Sequence, residues 1–160
     1  MAIKRDLALG ALAACSVAAA LVLGQIATFP NLAPWYAGLL KPSFNPPNAV
    51  FGPVWTALYV LMAFALWRVV RREATPRRRT AVVLFYVQLL LNATWPWMFF
   101  AAQSPGLGLI NIVPQFAVIM ATTTAFLRID RIAGISLMPL AGWVGYATAL
   151  NFAIWRLNGS

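Results

Sequence analysis

Trp35-Tyr36-Ala37-Gly38-Leu39-Leu40-Lys41-Pro42-Ser43-Phe44-Asn45-Pro46-Pro47-Asn48-Ala49-Val50-Phe51-Gly52-Pro53-Val54-Trp55 is the one long stretch of this chain that reads as a loop between apolar segments. Pro42, Pro46, Pro47 and Pro53 fall within it and Pro34 just before it. Each fixes its own φ and turns the preceding residue away from the helical region, which predicts a stiff, irregular connection. Trp35, Tyr36, Phe44, Phe51 and Trp55 make it too aromatic for a solvated linker. It is expected to fold back onto the segments around it.

Those segments decide the fold. Five apolar runs, 7–29, 51–70, 80–102, 107–127 and 132–155, have the roughly 20-residue length that crosses a bilayer as a helix. The chain is 62% hydrophobic and only 9% charged, with a mean hydropathy of +0.77. A soluble domain carries about 25% charged residues. The connections at 103–106 and 128–131 are too short for a second domain. The expected architecture is an all-α integral membrane protein, a bundle of five transmembrane helices forming one domain over residues 1–160, with a long outer loop at 30–50.

The net charge of +9 could suggest a nucleic-acid partner, but the basic residues sit at helix ends and form no soluble face. Lys4, Arg5, Arg68, Arg71, Arg72, Arg77, Arg78, Arg79, Arg128 and Arg131 share one side of a five-span topology, and Lys41 and Arg156 the other. The positive-inside rule then puts the N-terminus in the cytoplasm, and the first loop and C-terminus outside. Trp67 and the arginines after it mark the inner interface. Leu12-Ala13-Ala14-Cys15 resembles a lipoprotein cleavage box, but Asp6 interrupts the leader pattern and the run continues to residue 29. The first span is therefore expected to be retained, with Gly10, Ala14 and Ala18 giving close helix contact.

The residue inventory excludes several chemistries. With no His and the single Cys15, one chain has no ligand set for structural zinc or a His-ligated haem. Asp6, Glu73 and Asp130 all lie outside the spans, so intramembrane carboxylate proton relays, paired-carboxylate hydrolysis and a Ser-His-Asp triad lack material. No metal and no cofactor are expected.

Polar and aromatic side chains recur at helical spacing. Phe51, Trp55, Tyr59 and Met62 line one face of the second span, and Gln88, Asn92, Trp95 and Phe99 one face of the third. Asn111 and Gln115 in the fourth span, and Trp143, Ala147 and Asn151 in the fifth, repeat the pattern. An isolated amide in hydrocarbon serves as interhelical glue worth about 0.5–2 kcal/mol per hydrogen bond. Here Asn92, Trp95, Trp97, Asn111, Gln115, Asn151 and Trp155 converge in the outer halves of their spans, beneath the loop. Apolar walls with a few placed polar groups describe a small-molecule pocket.

Trp35-Tyr36, Lys41-Pro42, Asn45-Pro46-Pro47, Phe51, Pro53, Trp55, Leu58-Tyr59 and Met62 resemble the signature of the tryptophan-rich sensory protein and translocator protein family, also called the peripheral-type benzodiazepine receptor family. Gln88-Leu89, Asn92, Trp95 and Phe99-Phe100 resemble its third-helix motif, and Pro139, Trp143, Leu150-Asn151 and Trp155-Arg156 its fifth. The resemblance spans the chain in order. It implies a multi-pass protein of the bacterial cell membrane, often a homodimer, that binds porphyrins and related tetrapyrroles, benzodiazepine-type drugs and, in animal members, cholesterol. It implies further that Trp35, Tyr36, Pro46, Phe51, Trp55, Asn92, Trp95, Trp143, Ala147, Leu150 and Asn151 line the site. The family's link to light-dependent porphyrin breakdown makes Trp55 and Trp143 the catalytic candidates. Two positions depart from the pattern: Leu140 and Phe152 stand where the family has Tyr. Without that second Tyr, membrane lipid is an expected contact but tight sterol binding is not. A tetrapyrrole receptor or translocator, a porphyrin-degrading activity and a structural membrane protein all remain open.

Overall fold

The computed structural model describes residues 2–33 and 35–159; Met1, Pro34 and Ser160 lie outside them, and with Pro34 goes one of the prolines expected to stiffen the first loop. Five helices follow in order: α1 (Ala2–Leu32), α2 (Asn48–Val70), α3 (Pro76–Pro96), α4 (Pro105–Ile129) and α5 (Arg131–Asn158). A 3₁₀ turn, Tyr36–Gly38, lies between α1 and α2, and a π-helical turn, Trp97–Ala101, prolongs α3. All five helices are long and apolar enough to cross a membrane. The protein is an integral, multi-pass all-α bundle of five transmembrane helices.

The helices outrun the apolar runs because hydropathy marks the hydrocarbon crossing while capping groups mark the helix ends. Thr75 Oγ1 accepts from the Arg78 amide with Pro76 at the first helical position, and Ser104 Oγ accepts from the Leu107 amide with Pro105 in the same place. Both satisfy amides that the first turn leaves without an intrahelical partner. The first loop shrinks to residues 33–47, shorter than expected at both ends. Pro30 and Pro53 are helical: each lacks an N–H and crowds the carbonyl four residues back, a defect that membrane helices tolerate by local readjustment.

The helices form a ring. Helix α1 packs against α2 and α3, α2 also against α5, and α4 between α3 and α5. Side-chain ties define its two ends. At the basic end, Arg71 Nε lies 2.6 Å from Asp6 Oδ1, joining the start of α1 to the α2–α3 turn. Arg68 donates to both oxygens of Asp130, at 3.1 and 2.9 Å, and Arg72 also pairs with it, while Asp130 caps α5 through the Ala133 amide at 3.0 Å. Burial pushes the Asp130 carboxyl up, but these hydrogen bonds outweigh it and hold the group well below the usual carboxylate range. At the opposite, loop end, Asn158 exchanges two 2.9 Å hydrogen bonds with the Leu40 backbone, and the Tyr146 hydroxyl donates to Phe44 O.

The basic half of the bundle is solidly packed. Met62, Ala65, Leu66, Val69, Ala81, Phe85 and Phe126 are fully inaccessible, with the Phe85 and Phe126 rings stacked at 5.7 Å. On α1 the buried stripe is Ala13, Val17, Ala20, Gly24 and Ala27, whereas Ala14 and Ala18 face outward. The expectation that Gly10, Ala14 and Ala18 form the packing face is therefore corrected: only Gly10 approaches a neighbour, Trp67. Lipid is as apolar as the core, so small-residue spacing alone does not say which stripe turns inward.

Candidate ligand-binding site

Proline and a π-turn shape the loop half. Pro96 has no N–H for its helical bond, and the chain after it winds wider, with Ala102 N bonded to Trp97 O at 2.9 Å. This shift in register buries the consecutive Phe99 and Phe100. Phe99 stacks on Trp95 with centroids 4.8 Å apart, and Phe100 meets Tyr36 edge-on at 5.5 Å.

These rings wall a cavity of about 380 Å³ bounded by all five helices. Pockets for drug-sized molecules run from about 300 to 1,000 Å³. Across from Trp95 stand Phe51 and Trp143, edge to face at 5.7 Å, and Trp55 with Tyr59 at 5.8 Å. Of the residues expected at the site, Tyr36, Phe51, Trp55, Asn92, Trp95, Trp143, Ala147, Leu150 and Asn151 line this cavity. Trp35 and Pro46 do not. Trp35 sits behind the wall, its ring 5.4 Å from that of Phe99, and Pro46 accepts a 2.9 Å hydrogen bond from Asn45 in the loop.

The amides divide into those that tie helices together and those that line the cavity, and Asn151 does both. Asn151 Nδ2 donates to Pro105 O at 2.8 Å and Asn151 Oδ1 accepts from Trp95 Nε1 at 3.2 Å, which fixes the Trp95 indole. Asn111 donates to Thr94 Oγ1 at 2.9 Å and lies off the cavity, so it is interhelical glue. Trp97 donates to Leu23 O and Trp155 packs by Gly106, both also away from the cavity. Asn92 Oδ1 accepts a 2.6 Å hydrogen bond from Tyr59, leaving Asn92 Nδ2 buried without a partner among the described residues. Trp143 Nε1 is likewise buried and unpartnered. Two buried N–H donors thus belong to side chains that wall a mainly apolar chamber, which Gln25, Thr28 and Gln115 also line.

Residues from α1 were not anticipated: Leu21, Gly24, Gln25, Thr28, Phe29 and Leu32 form one side of the cavity. Gln25 and Thr28, rare polar residues in the outer part of a long apolar run, were the available signal. Among the lining residues only Phe29, Asn48 and Gly52 are exposed, so the chamber opens between the loop-end termini of α1 and α2. The loop closes it from above. Lys41 Nζ donates to Tyr36 O at 2.7 Å and lies 4.5 Å over the Tyr36 ring, stiffening the turn. Burial raises the Tyr36 hydroxyl pKa, opposed by its hydrogen bond to Asn45.

The cavity holds no acid–base pair, and among the described residues no group of three or more His, Cys, Asp or Glu could hold a metal. What it offers is stacking surface, oxidisable indoles and a few amide and indole hydrogen-bonding groups, among them those of Gln25, Asn92, Gln115 and Trp143.

Comparison with known proteins agrees over nearly the whole chain. The TspO/MBR family profile matches residues 11–156. Tryptophan-rich protein TspO of Chlorobaculum tepidum is 43% identical over 131 residues, covering 81% of this chain and 83% of that protein. The Archaeoglobus fulgidus protein of the same name is 38% identical over 155 residues, 89% and 94% of the two chains. The human translocator protein is 39% identical over 127 residues, 78% and 75%.

Proposed function

The chain belongs to the TspO/MBR family, and from that membership we propose that its cavity is a receptor site for flat, hydrophobic, acceptor-bearing ligands, porphyrins first among them. The observation that carries this reading is the aromatic chamber walled by Trp55, Trp95, Phe51 and Phe99, whose lining includes two side chains with buried, unpartnered donors, Asn92 (Nδ2) and Trp143 (Nε1). A buried N–H without a partner costs about 1–3 kcal/mol, which a ligand carbonyl, carboxylate or ring nitrogen would offset. The indole faces supply stacking area for a macrocycle. Leu140 and Phe152 do not weaken the fit, since neither lines the chamber.

In the same reading the basic end faces the cytoplasm of a bacterial cell and the loop end faces outward, on the charge bias of the connections. A second copy of the chain is the expected protein partner. Titration of the purified protein with protoporphyrin IX, followed by tryptophan fluorescence, tests the receptor. Saturable quenching that weakens in Asn92→Leu and in Trp143→Phe supports it. Quenching without saturation, or indifferent to both substitutions, rejects it.

A second reading follows from the presence of both Trp55 and Trp143 on the cavity wall: a light-dependent oxidative breakdown of bound porphyrin in which dioxygen is the oxidant and is reduced, these indoles relaying electrons to it from the porphyrin. Illuminating the complex in air and recording the porphyrin absorbance separates the two. Bleaching no faster than for free porphyrin in detergent, or unchanged in Trp55→Phe and Trp143→Phe, leaves the receptor alone.

A further inference from the structure

At the basic end, far from the chamber, a second concavity of about 290 Å³ is lined by Arg68, Arg71, Arg72 and Asp130. Asp130 is almost wholly buried, and its two oxygens are taken up by Arg68, Arg72 and the Ala133 amide. The carboxylate therefore acts as a tether that holds two guanidiniums side by side. Each uses Nε and Nη2 on Asp130, and neither Nη1 meets an acceptor among the described residues. Arg71 completes the wall, its guanidinium 4.3 Å over the Trp67 ring and its Nε beside Asp6. Three guanidiniums against two carboxylates leave the cup cationic. Arg78, whose Nη1 donates to Val70 O and Arg72 O, adds a fourth positive group at its rim.

The surface leading to this cup is apolar. Val60 and Phe64, one turn apart on α2, are exposed, and the Arg68 guanidinium lies 5.7 Å from the Phe64 ring. On a helix that crosses a bilayer, such a face lies against acyl chains. A track that runs along Val60 and Phe64 and ends at clustered guanidiniums has the two-part chemistry of a phospholipid.

We propose that the concavity formed by Arg68, Arg71 and Arg72 binds the phosphate of an anionic phospholipid, with an acyl chain along Val60 and Phe64. Guanidiniums take a phosphate's oxygens through paired N–H donors. A soluble phosphate would meet the same donors but would leave the apolar track unused.

Native mass spectrometry of the full chain in detergent tests this, with palmitoyl-oleoyl phosphatidylglycerol (POPG), the matching phosphatidylcholine, short-chain dihexanoyl phosphatidylglycerol and glycerol 3-phosphate as probes. POPG is expected to bind above the phosphatidylcholine, and affinity to fall as the chains shorten, with glycerol 3-phosphate weakest. Arg71→Gln, which spares the Asp130 tether, should weaken POPG about tenfold, the low end for losing one hydrogen bond to a charged group. Arg128→Gln removes the same charge elsewhere at this end and should leave binding unchanged. Equal retention of the two long-chain lipids, equal losses in both variants, or a series flat in chain length would each overturn the proposal; the chain-length series needs no substitution. Glycerol 3-phosphate displacing POPG at equal concentration would assign the cup to a soluble phosphate instead.

Discussion

The Tyr59 hydroxyl donates a 2.6 Å hydrogen bond to Oδ1 of Asn92, tying α2 to α3 within the cavity wall. The bond does two things at once: it holds the helices together and it decides which end of the amide stays free. Tyr59→Phe leaves Asn92 Oδ1 buried and unpaired. Hydrogen bonds between membrane helices average roughly 0.6 kcal/mol in coupling and reach about 1.7. We predict a loss near the upper value for Tyr59→Phe, and a double variant with Asn92→Leu less destabilised than the sum of the single changes. A denaturation cycle in detergent over the four proteins measures the coupling.

Gly108 is a position where the backbone must approach closely. A Cβ there would lie 2.7 Å from Asn151 Oδ1 and 2.8 Å from Phe99 Cδ2. Both neighbours are part of the cavity wall, and Asn151 anchors the Trp95 indole. Gly108→Ala should lower stability by about 1–3 kcal/mol, as overpacking does, and weaken porphyrin binding as Trp95 loses its anchor. Gly106→Ala, whose Cβ would come no closer than 3.4 Å to Trp155, is the matched control. Thermal melts and fluorescence titrations of the pair give both quantities.

Asp130 offers a pH test whose sign follows from its environment. Its carboxyl pKa is lowered in the folded protein from an ordinary value of 3.8, so its ion pairs contribute fully above that value and are lost as pH falls through the lower, folded one. Asp130→Asn should cost about 2 kcal/mol at neutral pH, less than the 3–5 for a fully buried pair because both arginines are partly solvated. The gap between wild type and variant should stay constant above about pH 5 and narrow below 3.8. Melting both proteins across pH 3 to 8 checks the shape.

How far the sequence was legible depended on which physical signal each residue gave. The five spans were plain because crossing hydrocarbon demands long apolar runs, and the shared end of Lys4, Arg68 and Arg128 was plain because charge cannot be buried there. Asn92, Trp95, Trp143 and Asn151 were legible as polar or amphipathic residues placed where lipid would reject them. Trp35 and Pro46 were not, because an aromatic or proline in a loop gives no clue to whether it faces the cavity or backs the wall. The inward stripe of α1 was hidden for another reason: apart from Gln25 and Thr28 the helix is apolar on every side and carries little periodic contrast, so Leu21 and Phe29 look like any lipid-facing residue. Fixed helical spacing placed Phe99 with Trp95 correctly, but the π-turn after Pro96 also buries Phe100 beside it, which that spacing does not anticipate.

The loop is pinned to α5 by Asn158 on Leu40 and by Tyr146 on Phe44. Pro46 and Pro47 stiffen it without touching the cavity. Replacing both by alanine costs about 0.4–1 kcal/mol of folding stability per proline through the unfolded chain, and it also removes the fixed φ angles that hold the loop in one shape. We predict that Pro46→Ala with Pro47→Ala weakens ligand binding more than it lowers the melting temperature of the bundle. Equal affinity would show that the loop need not be held stiff to close the chamber.

The mouth between α1 and α2 can be tested without disturbing the wall. Gly52 is exposed on α2, and a Cβ there meets nothing within 4 Å. It lies beside Phe51, at the opening edged by Phe29 and Asn48. Gly52→Leu gains about 0.8 kcal/mol of helix preference but sets a Cβ before Pro53, where helical backbone is disfavoured, so a thermal melt should show a stability close to the wild type's. Its side chain would occupy the opening while leaving Trp55, Trp95 and Trp143 in place. A change at the passage, as opposed to the wall, slows arrival and departure together and leaves their ratio nearly constant. Stopped-flow fluorescence with protoporphyrin IX should therefore show both rate constants reduced in Gly52→Leu with little change in Kd. Unchanged rates would place the ligand's path elsewhere, and a large rise in Kd at an unaltered association rate would make Gly52 part of the contact surface.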